Sequence, residues 1–182
     1  MKKKTINVIC VLALFVLMSC SFDYGETDSP ENLTPDLIMQ NVEYVRVRSA
    51  DPIARIQAER FERYEKQGQM RLNNFTFEQF TDSGETVNMR GSSGYAAVEI
   101  ESGDIFMNEG VWLEIDSEDL VIETYQVNWT DKERVMSSGD ENEVNIFQDN
   151  GTIITGIGLR ANARRRTWEF SGAVRGTYYY EE

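Results

Sequence analysis

The side chains able to do chemistry in this sequence are almost all carboxylates. Asp116-Ser117-Glu118-Asp119 and Asp140-Glu141-Asn142-Glu143 gather acids closely enough to suggest a calcium site. Neither has the alternating ligands and central glycine of an EF loop, so both read as acidic turns. There is no histidine, which removes Ser-His-Asp and Cys-His nucleophile systems, His-ligated zinc and a histidine general base. Paired carboxylates for glycoside hydrolysis are not excluded in a chain with 31 Asp and Glu, but no two are set apart. There is no Walker loop, and Gly156-Ile157-Gly158 lacks the strand-to-helix context of a dinucleotide site, fitting instead a strand with a bulge or a close approach. No catalytic residue, metal ligand or cofactor is expected.

The 182 residues carry 18 Lys and Arg against 31 acids, a formal charge of −13. That balance argues against nucleic acid or an anionic membrane surface as the main partner, because phosphate binding needs clustered cations. Beyond the lysines at the start of the chain, the basic run Arg164-Arg165-Arg166 has two readings. It is a solvated turn that balances nearby acids, or it meets acidic groups of a partner or phosphates of a glycolipid. With 41% hydrophobic and 11% aromatic residues, the chain can bury the core of one domain.

The start of the chain reads as an address. Lys2-Lys3-Lys4 precedes the apolar run Val8 to Met18, the charged and hydrophobic regions of an export signal, and the run is too short to span a bilayer. Leu17-Met18-Ser19-Cys20 resembles the lipobox of bacterial lipoproteins, which makes Cys20 the expected lipid anchor and residues 1–19 a signal peptide. Cys10 would leave with the signal, so no disulfide is expected. Cleavage removes three lysines and no acid, taking the charge from −13 to −16. Residues 20–37 hold two of the three prolines and little apolar periodicity, the composition of a flexible tether.

Residues 38–182 form the expected folded domain, and its commonest pattern has period two. Examples are Val111, Leu113, Ile115; Leu120, Ile122; Tyr125, Val127, Trp129; and Val144, Ile146. Alternation of this kind marks strands with one buried face. Turn signals separate the runs: Asp82-Ser83-Gly84, Glu101-Ser102-Gly103-Asp104, Ser138-Gly139-Asp140 and Asp149-Asn150-Gly151, the last suited to a type I′ hairpin. One segment disagrees. Asp51 as N-cap, Pro52 at the first helical position and Ile53, Ile56, Arg60 and Tyr64 on one face favour a helix locally. A weak repeat relates Gly94-Tyr95-Ala96-Ala97, with Asn108 and Val111, to Gly158-Leu159-Arg160-Ala161, with Gly172 and Val174. It suggests stacked hairpins, or simply the likeness of any two antiparallel hairpins.

Several of these segments, in order, resemble the LptC family of lipopolysaccharide export, within the group sharing the OstA-like β fold. They are Asn41-Val42-Glu43-Tyr44, Ala54 to Tyr64, Gly91-Ser92-Ser93-Gly94-Tyr95-Ala96-Ala97, Asn108-Glu109-Gly110-Val111, Leu120 to Trp129, Arg134 to Ser138, Gly151 to Ala161, and Trp168 to Val174. The resemblance implies an all-β fold, a single antiparallel meander forming an open, boat-shaped half β-jelly roll, and it makes residues 53–64 a strand. It further implies a non-catalytic periplasmic carrier of lipopolysaccharide or lipooligosaccharide. Such a carrier works between the permease subunits of an inner-membrane ABC transporter and an LptA-like bridge; many family members are held by an uncleaved transmembrane helix, whereas here the lipidated Cys20 would hold the chain to the inner membrane or, alternatively, to the outer one. A structural envelope lipoprotein that assembles partners without carrying lipid is the alternative. Alternation then selects the groove: Ile56, Ala58, Phe75, Phe77, Met89, Ala97, Ile105, Met107, Val111, Leu113, Leu120, Ile122, Val127, Trp129, Ile146, Ile157, Leu159 and Phe170. The edge expected to meet the bridge holds Trp168, Phe170, Gly172 and Val174.

Overall fold

The computed structural model describes residues 34–81 and 84–179. Cys20, the signal and most of the expected tether lie outside them. The domain takes in slightly more than alternation suggested. The Asp36 amide donates to the Arg63 carbonyl at 2.8 Å, and the first strand already begins at Leu37.

Among the described residues fourteen strands form one sheet, and every pairing is antiparallel. The first four are long: β1 (Leu37–Arg48), β2 (Asp51–Tyr64), β3 (Gln69–Phe80) and β4 (Val87–Glu99). Later passes are each broken into two: β5 (Ile105–Asn108) with β6 (Val111–Ile115), and β7 (Leu120–Thr124) with β8 (Val127–Thr130). The same holds for β9 (Val135–Ser137) with β10 (Glu143–Gln148), β11 (Ile153–Ile157) with β12 (Leu159–Asn162), and β13 (Thr167–Phe170) with β14 (Val174–Thr177). The pieces pair consistently on either side of the breaks. One wing runs from β4 through β5, β8, β9 and β12 to β13, the other from β4 through β6, β7, β10 and β11 to β14. This is the open half jelly roll of a single meander.

The breaks form a crease across the sheet. In the unbroken strands it passes through Asn41, Glu59, Asn74 and Gly94, the positions left out of otherwise regular registers. Asn41 and Asn74 have φ of 51° and 45°, and Glu109, Gly110 and Gly158 continue the line at 66°, 84° and 69°. A residue in the left-handed region turns the next side chain to the other face, as a bulge does. So the inward set on β4 is Gly91 and Ser93 before the crease but Ala96 after it, and on β3 Leu72 before but Phe75 after. The glycines that open the two units of the sequence repeat, Gly94 and Gly158, sit on this line. A side chain at Gly158 would strike the Ser171 hydroxyl, and one at Gly94 would come within 2.8 Å of Glu109.

Folded about the crease, the inner faces of both wings contribute to one core. Leu72, Ala96, Met107, Val127 and Leu159 come from one wing, and Leu113, Leu120, Ile122, Val144 and Ile146 from the other. The ring of Phe170 of β13 occupies the space that a methyl group at Gly156 of β11 would need. Residues 51–64 are strand, not the helix that Asp51-Pro52 favours locally. Ten registered pairs to β3 and eleven to β1 outweigh a propensity of a few tenths of a kcal/mol per residue. Asp149-Asn150-Gly151 is a hairpin loop, but Gly151 alone of the three has positive φ. It is therefore a three-residue loop closed by the Gln148 amide on the Thr152 carbonyl, not type I′. Ser138-Gly139-Asp140 leads into a turn, the Asn142 amide donating to the Gly139 carbonyl at 2.9 Å, which joins β9 to β10 at the crease.

The opposite face is polar and tied together. Tyr64 is 5% exposed and donates to Glu62 at 2.8 Å, the Arg60 guanidinium reaches the same carboxylate at 2.6 Å, and Arg71 lies 4.3 Å over the Tyr64 ring. Burial alone would raise the Glu62 carboxyl, but the bonds from Tyr64 and Arg60 and the charges of Arg60 and Arg71 outweigh it and hold it below the ordinary value.

Two outcomes follow. Gly156→Ala should destabilise by about 1–3 kcal/mol through overpacking, whereas Gly176→Ala, whose new methyl would find its nearest atom at 3.5 Å, should stay within about 0.5 kcal/mol; urea unfolding of both variants checks this. Because Glu62 titrates lower folded than unfolded, its contribution is present above the ordinary value of 4.5 and is lost as pH falls through the folded value. Glu62→Gln should cost roughly 1–3 kcal/mol at neutral pH and flatten the acid limb of a stability–pH curve relative to the parent.

Candidate functional site

The inner face is the one surface on which the residues selected by alternation meet. Ile56, Ala58, Phe75, Phe77, Ile105, Met107, Val111, Leu113, Leu120, Ile122, Val127, Ile146, Leu159 and Phe170 all belong to the core or pack against it. Trp129 shares their face through its register between Ile105 and Met136, and Met89 through its pairing with Ile115. Ala97 and Ile157 do not. Ala97 is registered with Arg71 and Phe106, and Ile157 with Glu143, on the polar side. In each case the count by two ran across the crease, from Ser93 past Gly94 and from Leu159 past Gly158. The inward neighbours are Ala96, 1% exposed, and Gly156 with Ile154. Leu72 and Val144, missed by the selection, are also buried there; Val144 stands two before Ile146 in plain alternation, while Leu72 is hidden by the phase change at Asn74.

The face is graded from centre to margin. Val144 and Ile146 are fully buried, and Val111 and Val127 are 2% exposed, so the middle is closed by protein. Ile56, Phe77, Ile105, Ile154 and Phe170 are half-buried around it. At both free edges apolar side chains stand open. Among the described residues β1 pairs only β2, and its inward-registered Met39 and Tyr44 are exposed. At the other end, among the described residues, β13 pairs only β12 and β14 only β11. There Trp168, in register with Ala161, and Val174, in register with Gly156, are 42% and 53% exposed. Of the expected edge residues, Gly172 lies in the link between the two strands, its amide donating to the Ile157 carbonyl.

The acidic runs are spoken for by structure. Asp116–Glu118 is a single 3-10 turn joining β6 to β7, with Asp116 3.4 Å from Arg90, and Glu143 lies 3.5 Å from Arg175. Among the described residues no group of three or more Cys, Asp or Glu is gathered to hold a metal ion. What the inner face offers chemically is dispersion and burial for apolar chains, with main-chain donors and acceptors along its two open edges.

A protein-family model described as lipopolysaccharide-assembly, LptC-related, matches residues 6–179. An uncharacterized protein of Treponema pallidum (strain Nichols) is 22% identical over 167 residues, 92% of this chain and 83% of that protein. Among solved structures, LptH, the LptA homologous periplasmic component of the conserved lipopolysaccharide transport device from Pseudomonas aeruginosa, matches with a TM-score of 0.54 at 13% identity. The match covers 69% of this chain and 94% of that one. That likeness speaks for the fold; the family match spans nearly the whole sequence. The chain belongs to the LptC-related family of lipopolysaccharide assembly, and its role lies in lipopolysaccharide transport in the cell envelope.

Proposed function

We propose that the chain is a non-catalytic periplasmic carrier that takes lipopolysaccharide or lipooligosaccharide from an inner-membrane ABC transporter and hands it to an LptA-like bridge, anchored through a lipidated Cys20. The observation that carries this reading is the apolar inner face, which reaches both free edges of an open sheet and remains exposed there at Met39 and Tyr44 on one side and Trp168 and Val174 on the other. A partner's strand added at either edge satisfies the unpaired main-chain groups and extends the same apolar surface. Acyl chains gain roughly 25 cal/mol per Å² of apolar area removed from water, and no bond is made or broken. The family match and the LptA-like fold support the transport role. Passage through the middle requires the wings to part about the crease, because Val144 and Ile146 are sealed in the closed state. That closed centre is also what favours the second reading, an envelope lipoprotein that assembles partners by its edges alone.

Photocrosslinking separates the two. A benzophenone side chain at Tyr44, Ile105 or Trp168 should capture glycolipid in cells, while the same group at Ala97 or Ile157, on the polar face, should not. Protein adducts without glycolipid at all three inner positions would leave only the second reading.

The edge contact is testable by main-chain chemistry. The Ile157 amide bonds the Ala173 carbonyl, so alternation along an antiparallel ladder turns the Val174 amide toward the free side. Val174→Pro removes that donor and should reduce capture of the bridge protein at least several-fold, with the circular dichroism spectrum unchanged. Full capture by the folded variant places the interface elsewhere.

A further inference from the structure

Two neighbouring hairpin loops have the same geometry and different charge. Asp131-Lys132-Glu133-Arg134 closes the Thr130–Val135 pair between β8 and β9, and Ala163-Arg164-Arg165-Arg166 closes the Asn162–Thr167 pair between β12 and β13. Each ends on an arginine with positive φ, 57° at Arg134 and 53° at Arg166. The loops touch: the Ala163 amide donates to the Arg134 carbonyl at 2.9 Å, and Arg164 Nη2 to the Lys132 carbonyl at 3.0 Å. The first loop balances its own charge, with Arg134 3.0 Å from Asp131. The second has three cations and no acid, and among the described residues none of the three has a carboxylate within 4.0 Å. A left-handed position favours glycine or asparagine, so turn geometry does not account for arginine at 166.

What lies beside the loops is apolar. Trp129, Met136, Ala161 and Trp168 form one cross-strand row on the inner face, each separated from its loop by a single residue, continuous in register with Phe170 and the core. The Arg134 guanidinium already lies 4.8 Å over the Trp129 ring. An added partner strand runs along the side of β13 and would leave these strand-end loops free, so an acidic partner strand is the weaker match. We propose that this rim is a binding site for the anionic, phosphate-type headgroup of an amphiphile whose chains lie against the Trp129 to Trp168 row. The inference rests on the carrier reading and adds to it where the polar end of the cargo is held and by which charges.

The test uses the purified chain, the variant Arg164→Gln/Arg165→Gln/Arg166→Asn, which keeps a residue suited to positive φ at 166, and two probes in neutral detergent micelles, dioleoyl phosphatidic acid and dioleoyl phosphatidylcholine. The parent should bind phosphatidic acid about tenfold more tightly than phosphatidylcholine, a preference that shrinks with added salt. The variant should bind both equally, with its phosphatidylcholine affinity unchanged. A variant that keeps the preference, or a parent that binds both lipids without preference, overturns the proposal and leaves the carrier reading standing. A parent that binds neither overturns both. Inorganic phosphate that binds the parent as tightly as phosphatidic acid does would make this a free-anion site and overturn the amphiphile assignment. So would loss of bridge capture in a variant whose lipid preference is intact, which would assign the arginines to a protein contact.

Discussion

A strand has two faces, and a single long meander of strict period two could bury only one of them against something else. This chain solves that with a line of residues in left-handed or bulged conformation, from Asn41 through Asn74 and Glu109 to Gly158, that reverses the alternation partway along successive passes. The reversal bends each pass and lets the sheet close on itself, so that Leu72 and Val127 on one side share a core with Leu113 and Ile146 on the other. Everything else in the architecture depends on it. Without the crease there would be a flat ribbon with one greasy side.

Closure of this kind leaves ends. A barrel removes its edges by pairing the last strand with the first, but here, among the described residues, β1 and the β13–β14 pass each pair on one side only. Unpaired edges invite aggregation, and proteins usually blunt them with charge. β1 has Glu43, Arg46 and Arg48 among its exposed positions, and the final pass has Glu169 and Arg175. Yet both keep exposed aromatics or aliphatics on the inward register, Tyr44 on one and Trp168 on the other. Charge at these exposed positions discourages indiscriminate pairing, while the exposed aromatics on the inward register leave each edge usable by a strand that continues the same interior.

The two faces also divide the energetics. The inner face gains from burial, and its central residues carry no titratable group. The other face is held by ion pairs that are mostly 30–80% exposed, each worth little in water. The exception is the Glu62 cluster, where a side chain only 14% exposed accepts from Arg60 and Tyr64. It fastens β2 to β3 at the end of the sheet where β1 alone lies beyond.

The sequence by itself determined the class. Alternation at Val111, Leu113 and Ile115 or at Val144 and Ile146, with turn residues between runs, requires half-buried strands, and the order of the weak motifs pointed to the family. Most of the inner face was legible for the same reason: within one straight strand, a side chain's face depends only on counting by two. Tertiary structure decided three things that counting does not reach. Residues 51–64 became strand because β1 and β3 offered their main-chain groups partners, against a local preference for helix. The wings found each other through contacts distant in sequence, such as Phe170 on Gly156. And Ala97 and Ile157 fell on the polar face because the phase of the alternation resets at Gly94 and Gly158. A glycine in a strand permits such a reset without announcing it, and only the neighbouring passes, which must crease at the same place to stay in register, settle that it occurs.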